Sequence, residues 1–367
     1  MKRTIRTVSG ILVIALWAGL AAFAWFTPKK TVSQAERRPL QQMPQITWND
    51  LQNGSFMGQF ETYCLDQFPL RDNFRSLKAL WSYHILDYQD NNGIYTEDGH
   101  VAKLDFPLNE TSVQYAINRF TTIYETYLKD TGSKVYMTVI PDKNFYLAEE
   151  NGYPAMDYET LFQKVNAGMP WAQTVDITKA LDISCYYKTD SHWRQEMILP
   201  VAAKLCVAMN AAPPDPQAFT ESLASDSFRG VYYGQSALPL DGEDLYLLES
   251  EMLNACRVYN HETKTYTGVY DLEKLSGYDP YDVFLSGAQA LLTIENPNAE
   301  SDRELIVFRD SFGSCLVPLL LREYGKVTVV DIRYIRSDLL AENVEFNGQD
   351  VLFAYSASIL NNSASLK

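Results

Sequence analysis

Two short segments hold residues suited to acyl-transfer chemistry. In Tyr186-Tyr187-Lys188-Thr189-Asp190-Ser191-His192-Trp193 a carboxylate stands two residues before an imidazole. An aspartate so placed can hold the histidine in one tautomer and stabilise its protonated form, as an esterase base requires. In Val307-Phe308-Arg309-Asp310-Ser311-Phe312-Gly313-Ser314 an apolar strand ends and a serine opens a helix. A serine there can become reactive if a base reaches it, and the helix N-terminus would offer N–H groups to a developing oxyanion. Plainer alternatives stand beside both readings. Ser311 could be an ordinary helix N-cap, and Asp190 with His192 a hydrogen-bonded turn or a cap. A metal site is disfavoured, because no second His or Cys cluster accompanies the pair.

These segments need elements to position them. Lys134–Ile140 is β-branched and bounded by Gly132 and Pro141, which predicts a strand. Thr174–Ile177 reads as a second, short strand and Arg194–Met209 as a helix, so His192 falls on the connection between them. The other histidines differ in setting: His84 lies in a helical stretch, His100 in a turn, His261 in a polar hairpin. Glu304–Phe308, Lys326–Ile332 and Val351–Ala354 are further strands, with Ser311–Tyr324 as a helix. Strands alternating with helices imply an α/β fold whose parallel sheet is covered on both faces. Residues 213–296 break the alternation with Tyr, Gly and Thr and with hairpin-like turns, as in Val258–Thr267. They predict a β-rich insertion over the carboxyl edge of the sheet, where open α/β folds bind ligands. Upstream, Trp48–Asp90 shows helical periodicity in Phe60, Cys64, Phe68, Phe74, Leu77 and Leu80. Ser112–Lys129 reads as another helix, with Thr111 or Ser112 as its cap.

The first residues set the compartment. Lys2, Arg3 and Arg6 precede an uncharged run from Thr7 to Thr27, close to the ~20 residues a spanning helix needs. Positive charge ahead of it predicts a single-pass anchor in the cytoplasmic membrane, N-terminus inside and the remainder extracytoplasmic. A cleaved signal peptide is the alternative, since Ala22-Phe23-Ala24 resembles a cleavage site. The expected organisation is an anchor over 1–30, a linker and helical region over 31–110, and the α/β domain over 111–367. Net charge is −15; residues 1–38 carry +6, leaving −21, which disfavours nucleic-acid partners. The 5 cysteines form no CxxC pair and sit mostly among apolar neighbours, so buried thiols are expected, with one disulfide left open.

At the residues named above, the chain resembles the DHHW protein family, named for its Asp-x-His-Trp block. More distantly, it is similar to the alginate O-acetyltransferases of the SGNH-hydrolase-like group. The blocks Asp66–Asp72, Asn92–Tyr95, Pro141–Lys143, Thr189–Trp193, Asp279–Tyr281, Asp310–Gly313 and Asp331–Tyr334 occur in the family's order. The resemblance implies an SGNH-hydrolase-like sheet flanked by helices, with Ser311 as nucleophile, His192 as base and Asp190 as its orienter. Ser191 stands where the family name shows a second His, at a position that would point away from the serine. Arg309 stands where simple SGNH esterases carry Gly. Arg333, Tyr334, Lys143 and Trp193 are candidates for the oxyanion hole or for binding substrate, with packing behind the site or at the surface the alternative. The implied activity is O-acetyl transfer onto a cell-envelope polysaccharide, fed by a membrane-embedded acyl-transfer protein, with no cofactor. A carbohydrate esterase with the same triad, or a non-catalytic glycan-binding or envelope-assembly protein, are the alternatives.

Overall fold

The computed structural model describes residues 2–33 and 35–367, with side chains from Thr7 onward. The basic side chains of Lys2, Arg3 and Arg6 lie outside those described. The chain packs as two compact units, Met1–Asn92 with Tyr233–Pro239, and Gly93–Tyr232 with Leu240–Lys367.

The first unit begins with helix α1 (Lys2–Phe26). Its 20 residues from Thr7 to Phe26 are long and apolar enough to cross a membrane. Three helices follow, α2 (Trp48–Gln52), α3 (Ser55–Asp66) and α4 (Arg71–His84). The stretch before them, expected as a linker, is tied down. Val32–Ser33 pairs with Arg38–Pro39, and buried Asp66 accepts bonds from Arg38 Nη1 (2.9 Å), Arg38 Nη2 (2.6 Å) and Gln41 N (2.8 Å). The Arg38 guanidinium holds that carboxyl below its usual range, against the opposing effect of burial.

The second unit opens with a hairpin, Ile94–Glu97 against His100–Lys103. Helix α5 (Glu110–Ile123) is capped by Asn109, which accepts from Ser112 N, instead of by the expected Thr111 or Ser112. The sheet strands are β1 (Lys134–Ile140), β2 (Gln173–Thr174), β3 (Arg257–Asn260), β4 (Thr265–Thr267), β5 (Leu291–Glu295), β6 (Arg303–Arg309), β7 (Tyr324–Val330) and β8 (Asp350–Ser356). Their order across the sheet is β4-β3-β5-β7-β6-β8-β1-β2. The five strands from β7 to β2 are parallel. The other three are antiparallel, which corrects the expected placement of 213–296: part of that stretch extends the sheet edge. A second piece of it, Thr220–Phe228 with Glu243–Glu249, forms a separate hairpin.

Side chains alternate across the sheet with the period of two that a strand imposes. Leu305, Val307, Val327, Val329 and Leu352 face one core, with helix Leu199–Ala208 and the Leu316–Leu321 segment. Ile306, Phe308, Val351, Phe353 and Val135 face the other, with α5 and helix Tyr158–Gly168. Both faces being covered explains why the parallel strands read as continuous apolar runs. The connections leaving β1 and β6 run in opposite directions along the sheet, which opens a crevice at their carboxyl ends.

Candidate active site

The serine turn is built by its own neighbours. Where β6 ends, Asp310 accepts from Phe312 N through Oδ1 (3.0 Å) and from Ser356 N, at the end of β8, through Oδ2 (2.7 Å). A Cβ at Gly313 would lie 2.6 Å from Arg309 Cβ, so only glycine lets the chain double back here. The expected long helix is shortened to Gly313–Leu316 with a 3-10 segment over Val317–Glu323. Pro318 supplies the reason, since it has no N–H to continue an α-helical ladder.

His192 comes from a tight loop closed by the Tyr186–Trp193 bridge. Asp190 Oδ1 accepts from His192 N (3.0 Å) and from His192 Nδ1 (2.5 Å), and Oδ2 accepts from Val231 N (2.8 Å). A proton on Nδ1 leaves Nε2 as an acceptor, and Ser311 Oγ donates to it over 2.8 Å. The short helix that follows starts after Phe312 and has no side-chain cap, so Ser311 is not its N-cap. Asp190 is fully buried, His192 nearly so, and Ser311 is partly open to solvent. Ser191 Oγ lies 3.5 Å from Nδ1, at the limit of hydrogen bonding.

Several residues without an assigned role in the sequence reading hold this arrangement. The Tyr281 ring stacks on His192 at 4.1 Å with an 8° tilt, and Phe312 flanks it at 4.9 Å. Glu243 accepts from Lys188 N, Thr189 N and Thr189 Oγ1. Gly230 passes so close that a Cβ there would sit 2.2 Å from Asp190 Cβ. Tyr281 lies within a family-like block; Gly230 and Glu243 carry no sequence signal beyond their residue type.

The four substrate or oxyanion candidates take different places. Trp193 is buried and its indole donates to Phe312 O (3.1 Å), which ties the base loop to the serine turn. Buried Lys143 donates to Val101 O (2.7 Å) and Lys188 O (3.0 Å). Burial pushes its amine down to about 7, with Asp190 and Glu243 pulling the other way. Both side chains thus hold backbone carbonyls. Arg333 is held by Asp331 through Nε (2.9 Å) and Nη2 (2.6 Å). Tyr334 alone among the four is turned to solvent, 51% exposed. Arg309, where a glycine was the point of contrast, is fully buried, donates to Gly287 O (3.0 Å) and lies 3.7 Å from Asp331. All 5 cysteines are free thiols, 4 buried and Cys64 exposed.

The fold is a mixed α/β architecture with a large, mostly parallel sheet. The model of the DHHW protein family matches residues 160–330, on which the resemblance read from the sequence stands. Among solved structures, a DHHW family protein from Eubacterium siraeum aligns at TM-score 0.61 and 21% identity, over 76% of this chain and 95% of that one. PatB1 from Bacillus cereus aligns at 0.55 and 17%, over 74% and 97%, and has also been solved with a sulfonyl adduct. The O-acetyltransferase domain of Pseudomonas putida AlgJ aligns at 0.45 and 14%, over 73% and 92%. Comparison with curated proteins finds no match.

Proposed function

We propose that this chain is an extracytoplasmic O-acetyltransferase that acts on a cell-envelope polysaccharide through Ser311, His192 and Asp190. The observation that supports it best is the hydrogen-bonded series Asp190–His192–Ser311 at the carboxyl edge of the sheet, its serine reachable from solvent. As Ser311 Oγ attacks the acetyl carbonyl, its proton passes to His192 Nε2 and on to the departing group, leaving an acetyl ester on the serine. A sugar hydroxyl then gives its proton to His192 and attacks the ester, and the proton returns to Ser311 as the acetylated sugar leaves. Asp190 keeps Nδ1 protonated throughout and stabilises the imidazolium. Helix α1 would anchor the chain with its N-terminus inside, beside a membrane-embedded acyl-transfer protein that delivers the acetyl group.

The test uses p-nitrophenyl acetate with intact-mass detection on the wild type, Ser311→Ala and His192→Ala. A burst with one added acetyl, lost in Ser311→Ala, is expected, with turnover lowered at least about 10³-fold in either variant. Addition of candidate glycans then separates transfer from hydrolysis: transfer requires an acceptor-dependent rate and an acetylated glycan. Folded wild type that neither turns over nor acquires an acetyl group would replace this reading with glycan binding without catalysis.

A further inference from the structure

Helix α4 packs the wrong way round for a helix of a water-surrounded protein. Phe74, Leu77, Trp81 and Ile85 recur at helical spacing and form one stripe, and all four are exposed, by 44, 59, 53 and 61%. The side that packs inward adjoins the stripe and does so through polar contacts. Arg71 and Arg75 pair with Glu36 at 2.6 and 3.3 Å, and Arg75 also donates to Gly234 O. Burial favours the reverse arrangement, in which the apolar stripe is covered. Trp48 and Leu65, on α2 and α3, add to the exposed apolar surface.

We infer that this stripe lies in the outer surface of the lipid bilayer, at the boundary of headgroups and acyl chains. Three observations select lipid. First, the stripe is held beside the end of the apolar span. Phe26 closes α1, and four residues later Lys30 N donates to Gln67 Oε1 (3.0 Å) while Gln67 Nε2 donates to Lys30 O (2.8 Å). Gln67 is the C-cap of α3, four residues before α4 begins. Second, charge is divided between the units. Beyond α1, unit one holds 7 basic and 7 acidic residues, net 0, whereas unit two carries −18. An anionic bilayer repels the second and not the first. Third, Trp48, Trp81 and Tyr88 are exposed side chains of the kind that settle at a membrane–water interface. The inference rests on the α1 anchor and not on the acyl chemistry.

The experiment uses the full chain with Cys64→Ser, so that one introduced cysteine can carry an environment-sensitive fluorophore. Leu77→Cys samples the stripe, and Asp72→Cys samples the opposite, exposed side of α4. Each is reconstituted in phosphatidylethanolamine–phosphatidylglycerol vesicles, with and without brominated acyl chains, after flotation. Position 77 should be quenched about twofold or more by the bromines, and position 72 little. A floating chain whose position 77 reports water overturns the inference and leaves the anchor standing. Shielding at position 77 that ignores bromine would mean a protein covers the stripe, and equal quenching at both positions would mean no defined face; either overturns it. A chain that does not float overturns both.

Discussion

Gly230 is packed hard against the loop that carries Asp190 and His192. A Cβ there would approach Asp190 Cβ to 2.2 Å and its Cα to 2.3 Å. No rotamer change relieves a clash with backbone, so the loop itself must move, at a cost of about 1–3 kcal/mol. The Val231 N–H that steadies Asp190 Oδ2 moves with it. On the acyl-transfer reading, Gly230→Ala should therefore fold and yet turn over acetyl esters about 10²-fold more slowly, as expected for a catalytic group misplaced by about 1 Å. Circular dichroism and kcat measured together check this, and an unchanged kcat would show that the loop absorbs the methyl group. Lys143 offers a second check at the same scale. Its amine sits at about 7 when folded against an ordinary 10.5. Between those values the unfolded chain binds a proton that the folded chain lacks, so this group makes stability rise as pH increases through that window. Lys143→Met should lose that rise. It should also cost about 1–3 kcal/mol for Val101 O, which loses its lysine donor, whereas Lys188 O keeps the Val101 N–H. Denaturant melts at pH values across the window provide the measurement.

The hairpin Ile94–Lys103 works as a splint for the loop that carries His192. Val101 N donates to Lys188 O (2.8 Å), and Asn144 Nδ2 donates to Lys103 O (2.6 Å). His100 is buried within it, and burial with nearby Lys143 and Lys188 pushes its imidazole down to about 4 from 6.5. The unfolded chain takes up a proton first on acidification, so stability falls as pH drops from about 6.5 to about 4. His100→Gln should flatten that limb of a Tm-against-pH curve; an unaltered limb would assign acid sensitivity to other groups. Elements of this kind were only partly legible in the sequence. β1 was read with its observed bounds because its β-branched run is bracketed by Gly132 and Pro141, a local signal. The segment after Ser311 was read as one helix because its apolar content is continuous; Pro318 marks where hydrogen bonding changes. Strands β3 and β5 pair with each other and β5 pairs with β7. Partner choice is a long-range property, and it left the 213–296 stretch legible as β-rich but not as sheet edge. At the site, Asp190 and His192 were legible through adjacency in the chain. Glu243 and Tyr281, which brace them from 50 to 90 residues away, become visible only in three dimensions.

Taken whole, the molecule concentrates its negative charge in the unit that holds the serine: −18, against +3 in the other. A field of that size acts beyond contact distance at low ionic strength, where the screening length is about 30 Å at 0.01 M, and fades near 0.15 M, where it is about 8 Å. On the acyl-transfer reading, this separates two classes of acceptor. A polyanionic glycan must approach the serine against the field, so its encounter with the acetylated enzyme is slowed until salt screens the repulsion. A neutral glycan meets no such barrier. Initial rates of transfer should therefore climb severalfold for a uronate or phosphate polymer as sodium chloride rises across that range, and stay level for a neutral one. Because p-nitrophenyl acetate is uncharged, its burst in the same series reports the acylation step alone and should not respond. A rate on the anionic polymer that falls with salt would mean that local cations, with Lys188 and Arg194 within four residues of His192, outweigh the net charge. In that case the natural acceptor should be sought among acidic polysaccharides.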